Sequence, residues 1–190
     1  MTPPESLARS DVNSDIRHLA ELSARDEDDG GLSSGDRAEL RRMKADGVLP
    51  PAFWRQIVRL GIRNESLERA WAILIQAMLE AGEPKAEPVG RALGHRNEAT
   101  GEVPYAEPRF IQLLRARGHD EVAFHVRQAA RWCGAKGRRL RFSDHYGRDG
   151  FGPFILAAAQ GHEEDAARRA HAIARDYFST LQRAERDTEV

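Results

Sequence analysis

Residues 65–80 read ESLERAWAILIQAMLE. Leu67, Trp71, Leu74, Ile75 and Met78 recur at the period of a helix with one buried stripe. Further apolar residues wrap most of the remaining circumference, so this helix is expected to lie inside a core rather than on a surface. Its longest apolar stretch, Trp71 to Leu79, is interrupted by Gln76 and falls far short of the roughly 20 residues that a spanning helix needs.

Outward from this segment the same period returns. On the N-terminal side, Pro50–Pro51 opens a helix through Phe53, Trp54, Ile57 and Leu60 that Gly61 closes. Before it, Gly35–Lys44 places Arg37, Arg41 and Lys44 on one face and Leu40 and Met43 on the other. On the C-terminal side, Gly82, Pro84 and Pro88 break the chain ahead of a short amphipathic piece, VGRAL. The loop HRNEATGEVPYAEP follows, rich in turn formers. Pro108 starts a helix with Phe110, Ile111, Leu113 and Leu114. The next runs from Asp120, as N-cap, to Cys133, with the stripe Val122, Val126, Ala129, Ala130 and Cys133. Two more are expected at Phe151–Ala159 and Glu163–Ala184. No strand alternation and no solenoid period is visible. The reading is all-α: a bundle of about eight helices, with residues 35–100 and 101–190 as two packed sub-bundles. Residues 1–34 contain the acidic run Asp26–Asp29 and then GGLSSG. Apart from a short helix that would fit Asp15–Leu22, they read as a flexible acidic extension.

A net charge of −1 conceals an uneven distribution. Between Met1 and Asp36 nine acidic residues face three basic ones, whereas between Arg109 and Arg141 nine basic residues face two acidic ones. Positive charge gathered in one segment suits local contact with a polyanion. A basic helix is also often no more than well solvated, so charge alone does not decide. Aromatic residues interleave with the basic ones at Phe110, Phe124, Trp132, Phe142 and Tyr146, a combination that proteins gripping nucleic acid without sequence preference use. Phe110 reads as core, while Phe124 falls on the basic face of its helix beside Arg127 and Arg131. The single cysteine, Cys133, and a leading segment MTPPESLARSD without an apolar run fit a cytoplasmic protein with no membrane partner.

Patterns that could carry catalysis are weak. Ser143-Asp144-His145 are chain neighbours whose side chains diverge, unlike a relay. His162-Glu163-Glu164 lacks the second histidine of a zinc helix, and GAKGRR lacks the order of a phosphate-binding loop. The best enzymatic alternative is a metal-dependent phosphohydrolase of the HD type, which would need His95, His119, Asp120 and Asp176 to converge. A free-standing helical nucleic-acid-binding protein is a further alternative. No catalytic residue, metal ligand or cofactor is assigned.

Three blocks, in this order, resemble the small subunit of the type I-E CRISPR surveillance complex, Cascade (the CasB family): DRAELRRMKADGVLPPAFWRQIVRLG, LERAWAILIQAMLEAG, and VGRAL with PRFIQLLRAR and the arginine-bearing helix after it. The resemblance implies an all-helical, non-enzymatic subunit present in two copies. Its implied partners are the repeated backbone subunit, the large subunit, crRNA, and the target and displaced DNA strands. The family's basic positions carry over onto Arg41, Arg42, Arg91, Arg109, Arg115 and Arg127. Arg117, Arg131, Arg138 and Arg139 extend the same region on charge alone. The acidic extension and the longer loops at GHRNEATGEVPYAEP and GAKGRRLRFSDHYGRDGFGP depart from shorter members.

Overall fold

The computed structural model describes residues 9–188 apart from 26, 46, 82–86, 97–100 and 145–149. Among the described residues the chain forms nine α-helices: α1 (Arg9–Ala24), α2 (Ser34–Arg42), α3 (Pro51–Arg59), α4 (Glu65–Ala81), α5 (Val89–Gly94), α6 (Glu107–Arg115), α7 (Gly118–Ala135), α8 (Phe151–Ala159) and α9 (Glu163–Thr188). The only β pairing among them is an isolated bridge between Glu87 and Leu140. The all-α architecture is as the periodicity predicts. No described helix is long and apolar enough to cross a membrane.

α4 is the axis of the molecule. From Ala70 to Leu79 every residue except Gln76 is buried, and α1, α2, α3, α7 and α8 all pack on it. Burying a side chain the size of Trp71 removes one of the largest apolar surfaces in the chain from water. α7 lies closest to α4, because a Cβ at Gly134 would strike the Glu80 carbonyl. α5 lies equally close to α9, where a side chain at Gly90 would collide with the backbone of Ile173 and Tyr177. The pairs α4–α7 and α5–α9 each join the half before residue 101 to the half after it, and the buried side chains form one cluster.

The N-terminal segment departs from expectation. Residues 9–24 are not a loose extension: Ile16 and Leu19 are 0% and 3% exposed, and Ala20 and Ser23 are buried with them. These four lie at i, i+3, i+4 and i+7, a helix face masked in the sequence by acidic neighbours. The Ile16 side chain fits against Gly152 of α8. Asn13 exchanges two hydrogen bonds with the Asp144 backbone, donating from Nδ2 to its oxygen (3.0 Å) and accepting from its N–H (2.6 Å). Asp144 in turn accepts from the Gly150 N–H (2.7 Å) and pairs with Arg169 of α9 (2.8 Å). Both side chains of that ion pair are 9% exposed. One residue thus joins three places: the Asp144 backbone holds α1, and its carboxylate holds α9 and Gly150 at the start of α8. Residues 1–8 lie outside the described residues.

A second difference concerns helix ends. α7 starts at Gly118, with Arg117 as its N-cap, so Asp120 sits inside the first turn rather than capping it. There it still complements the positive end of the helix dipole, together with Glu121. α2 is capped by Ser33, whose oxygen accepts from the Asp36 N–H at 3.0 Å.

Candidate nucleic-acid interface

Helix period puts Asp120, Phe124, Arg127 and Arg131 along one side of α7, away from the stripe Val122, Val126, Ala129, Ala130 and Cys133, all of which are buried. That side faces the end of α2 and the outer edge of α4, and the three elements enclose an open groove of about 650 Å³. α2 and the turn after it contribute Met43, Lys44 and Ala45; α4 contributes Arg69 and Gln76. His119 and Gln128 complete the α7 wall with Ala123.

The electrostatics of the groove are positive. Four cationic side chains line it, Lys44, Arg69, Arg127 and Arg131, against one carboxylate, Asp120. Two of the cations have internal counterions: Arg69 with Asp120 and Arg131 with Glu80, each at 3.3 Å. The side chains of Lys44 and Arg127 make no hydrogen bond or ion pair with any described residue. Gln76 donates to the Met43 carbonyl, which fixes the α2 end of the groove to α4. Arg41 also bonds α4 but does not line the groove, donating to the Leu79 carbonyl at 3.3 Å, while Arg42 turns back onto Ala38 of its own helix. Phe124 is 58% exposed beside these cations.

The other predicted basic residues fall elsewhere. Arg91, on α5, and Arg109 and Arg115, on α6, are exposed but do not line the groove. Arg117 spends its guanidinium on the carbonyls of Leu114 and Ala116, closing the C-terminus of α6. Arg138 is anchored in the fold, donating to the Ala92 carbonyl (3.2 Å) and to Glu102 (2.9 Å) and lying over the Trp132 ring. Arg139 borders a smaller mixed-charge recess with Glu87, Glu102 and Lys136. The segment GAKGRRLRF is therefore held rather than loose: Leu140 is buried, and Arg141 donates its N–H to the Glu87 carbonyl. Arg37, expected on one helix face with Arg41 and Lys44, is likewise taken up by the carbonyls of Ser23, Arg25 and Leu32, and α2 ends at Arg42, before Lys44.

Of the aromatic residues flagged among the basic ones, Phe110 and Phe142 are core, and Trp132 packs edge-on against Tyr105. Tyr146 lies outside the described residues, as does His145. The sequence reading missed the groove's far wall, Arg69 and Gln76. Its signal was Gln76, the one polar position inside the apolar run Trp71–Leu79, with Arg69 seven residues before it on the same helix face.

The four residues of the HD alternative do not converge. His119 contacts the Ser66 carbonyl (2.8 Å) and Asp120 pairs with Arg69, both at the α4–α7 junction. Asp176 sits on α9 against α5, and His95 caps the end of α5. Among the described residues, no group of three or more His, Cys, Asp or Glu side chains could hold a metal ion. Burial pushes the Cys133 thiol up to about 12, where it is an inert core group rather than a nucleophile.

A family model described as CRISPR-associated protein Cse2 matches residues 36–146. Neither a curated protein nor a solved structure matches the chain. The matched segment runs from the first turn of α2 through α7 and so contains every wall of the groove. It covers more than half of the sequence, and the chain accordingly belongs to the Cse2 (CasB) family, the small subunits of type I-E CRISPR Cascade complexes.

Proposed function

We propose that this subunit is non-catalytic and stabilises crRNA-guided DNA binding by holding nucleic acid strands, the displaced strand of the R-loop included, on the positive surface around the α2–α4–α7 groove. The observation that carries the reading is the arrangement on α7. Arg127 and Arg131 share one edge with Lys44 opposite, and the edge is free because the apolar stripe occupies the other side. Arginine and lysine side chains placed this way meet phosphate oxygens without reading bases. R-loop formation exchanges one duplex for another of similar stability, so a few such contacts are enough to tip it. The partners in this reading are the repeated backbone subunit, the large subunit, crRNA, both DNA strands and a second copy of the chain.

The test is Arg127→Glu/Arg131→Glu, assayed by binding to unrelated duplexes and single strands across a salt series. Removing one arginine–phosphate pairing should flatten the dependence of log K on log[salt] by about 0.9 on duplex and about 0.7 on single strands. Affinity should fall to a similar degree for every sequence. In the assembled complex the R-loop should become less stable while crRNA stays bound. Unchanged affinity and slope in a folded double variant would refute the reading. Failure to assemble would assign these arginines to a subunit interface instead.

A further inference from the structure

We propose that Phe124 is a base-stacking platform: an unpaired nucleotide, its backbone tracked by Lys44, Arg127 and Arg131, lays its base on this ring. The inference rests on the reading of the groove as a nucleic-acid interface and adds to it a ring contact that selects unpaired strands over duplex.

The ring is where the core does not need it. Phe124 lies two positions from Val122 and from Val126, roughly 200° around the helix from each, and is 58% exposed while both valines are buried. An exposed phenylalanine forfeits most of the gain of burial, and the ring meets only the edge of its chain neighbour His125 (centroids 5.0 Å) among the described aromatic rings, so core packing does not explain the position. The other exposed large apolar residues do not offer the same combination. Val48, Val58 and Val103 are aliphatic. The Trp54 indole is tied by its N–H to the Leu49 carbonyl (3.0 Å) and set edge-on to Phe53. Phe178 packs against Phe110 and Tyr177. Only Phe124 among the exposed aromatic residues described also lines the cationic groove.

Spacing and space both suit a nucleotide. Arg127 is one helical turn from Phe124, and Arg131 is one turn further, about 10 Å along the axis. A ring and two guanidinium groups in that order match a base followed by its neighbouring phosphates. The groove volume of about 650 Å³ falls within the roughly 300–1,000 Å³ of small-molecule sites. In a duplex each base is covered by its neighbours above and below, so a side-chain ring reaches a base face only on an unpaired strand. Every base has such a face, which makes the contact tolerant of sequence.

The experiment uses the full chain and fluorescence anisotropy with three probes of equal length: oligo-dT, an abasic strand with the same phosphates, and a duplex. Phe124→Ala should weaken oligo-dT binding roughly tenfold, leave its salt slope unchanged, and leave the abasic strand and duplex unaffected. Phe124→Trp should restore or exceed wild-type affinity. Because the side chain is mostly exposed, neither variant threatens folding. Equal weakening on all three probes, or none on oligo-dT, would overturn the stacking role. Arg127→Glu/Arg131→Glu separates the two ideas: if it weakens all three probes while Phe124→Ala weakens none, the groove binds backbone and only the stacking fails. If the arginine variant changes nothing, or wild type binds no oligo-dT, the groove reading fails as well. Normal oligo-dT binding by Phe124→Ala together with failed assembly would give the ring to a protein partner and also overturn the proposal.

Discussion

Replacing Ile16 with alanine asks whether α1 belongs to the core. Its side chain is 0% exposed and fits against Gly152 of α8, with both branches at the distance where an added Cβ on the glycine would touch them. The substitution removes three carbons from a site bounded by the backbone of another helix, which has little freedom to collapse. Isoleucine-to-alanine changes at such sites cost about 2–5 kcal/mol, and a value near 3 is expected here. For a chain of this length each kcal/mol moves the thermal midpoint by roughly 2–4 °C, so the midpoint should fall by roughly 6–12 °C. Circular dichroism melts at 222 nm, with urea titration as a check, provide the measurement. Arg17→Ala, at the exposed neighbouring position, serves as control and should stay within about 0.5 kcal/mol of wild type. If Ile16→Ala melts with the control, α1 is not packed and residues 1–34 revert to an acidic tail.

Glu80→Gln removes the counterion of Arg131, whose side chain is 56% exposed in a pair worth only a few tenths to about 1 kcal/mol. Oligonucleotide binding should tighten up to a few-fold, because Arg131 then meets phosphate without a competing carboxylate beside it. The alkaline limit of stability should reflect two buried acids. Burial raises the Cys133 thiol to about 12 and, with Glu107 adding to the effect, the Tyr177 phenol to about 12. Below the unfolded values of 9.0 and 10.0 both states keep these protons. Above them the unfolded chain releases protons that the native chain retains, so stability should fall as pH rises from about 9 towards 12. Urea midpoints at pH 8, 9.5 and 11 would show this, and Cys133→Ala should reduce the decline.

How much of this was legible depended on whether the signal was periodic or spatial. The stripe of α4 and that of α7 stand in the sequence as they stand in the fold, because helix period alone decides which residues meet the core. The same logic exposed Phe124 and Arg127 on the opposite side of α7. Arg117 and Arg138 could not be sorted this way. Their charges lie in the same basic segment, yet one closes a helix end and the other is sandwiched between Ala92, Glu102 and Trp132. Nothing local marks a guanidinium that will meet a backbone carbonyl nearly fifty residues away. A short helix at Asp15–Leu22 was legible, but the burial of α1 was hidden for a different reason. Among its described side chains, Ile16, Leu19, Ala20 and Ser23 are the buried ones, and composition averaged over an acidic segment dilutes four positions to nothing.

The clasp between Asn13 and Asp144 has a consequence in time. Its partners are 131 residues apart in the chain. At a synthesis rate of about 5–20 residues per second, α1 leaves the ribosome roughly 7–26 seconds before Asp144 and Gly152 exist to receive it. During that interval its apolar face has no α8 to cover it, while α4, on which it also packs, has already been made. Because α4 precedes Asp144 in the chain, the contact of α1 with α4 becomes available first, and the Asn13–Asp144 clasp is the later of the two to close.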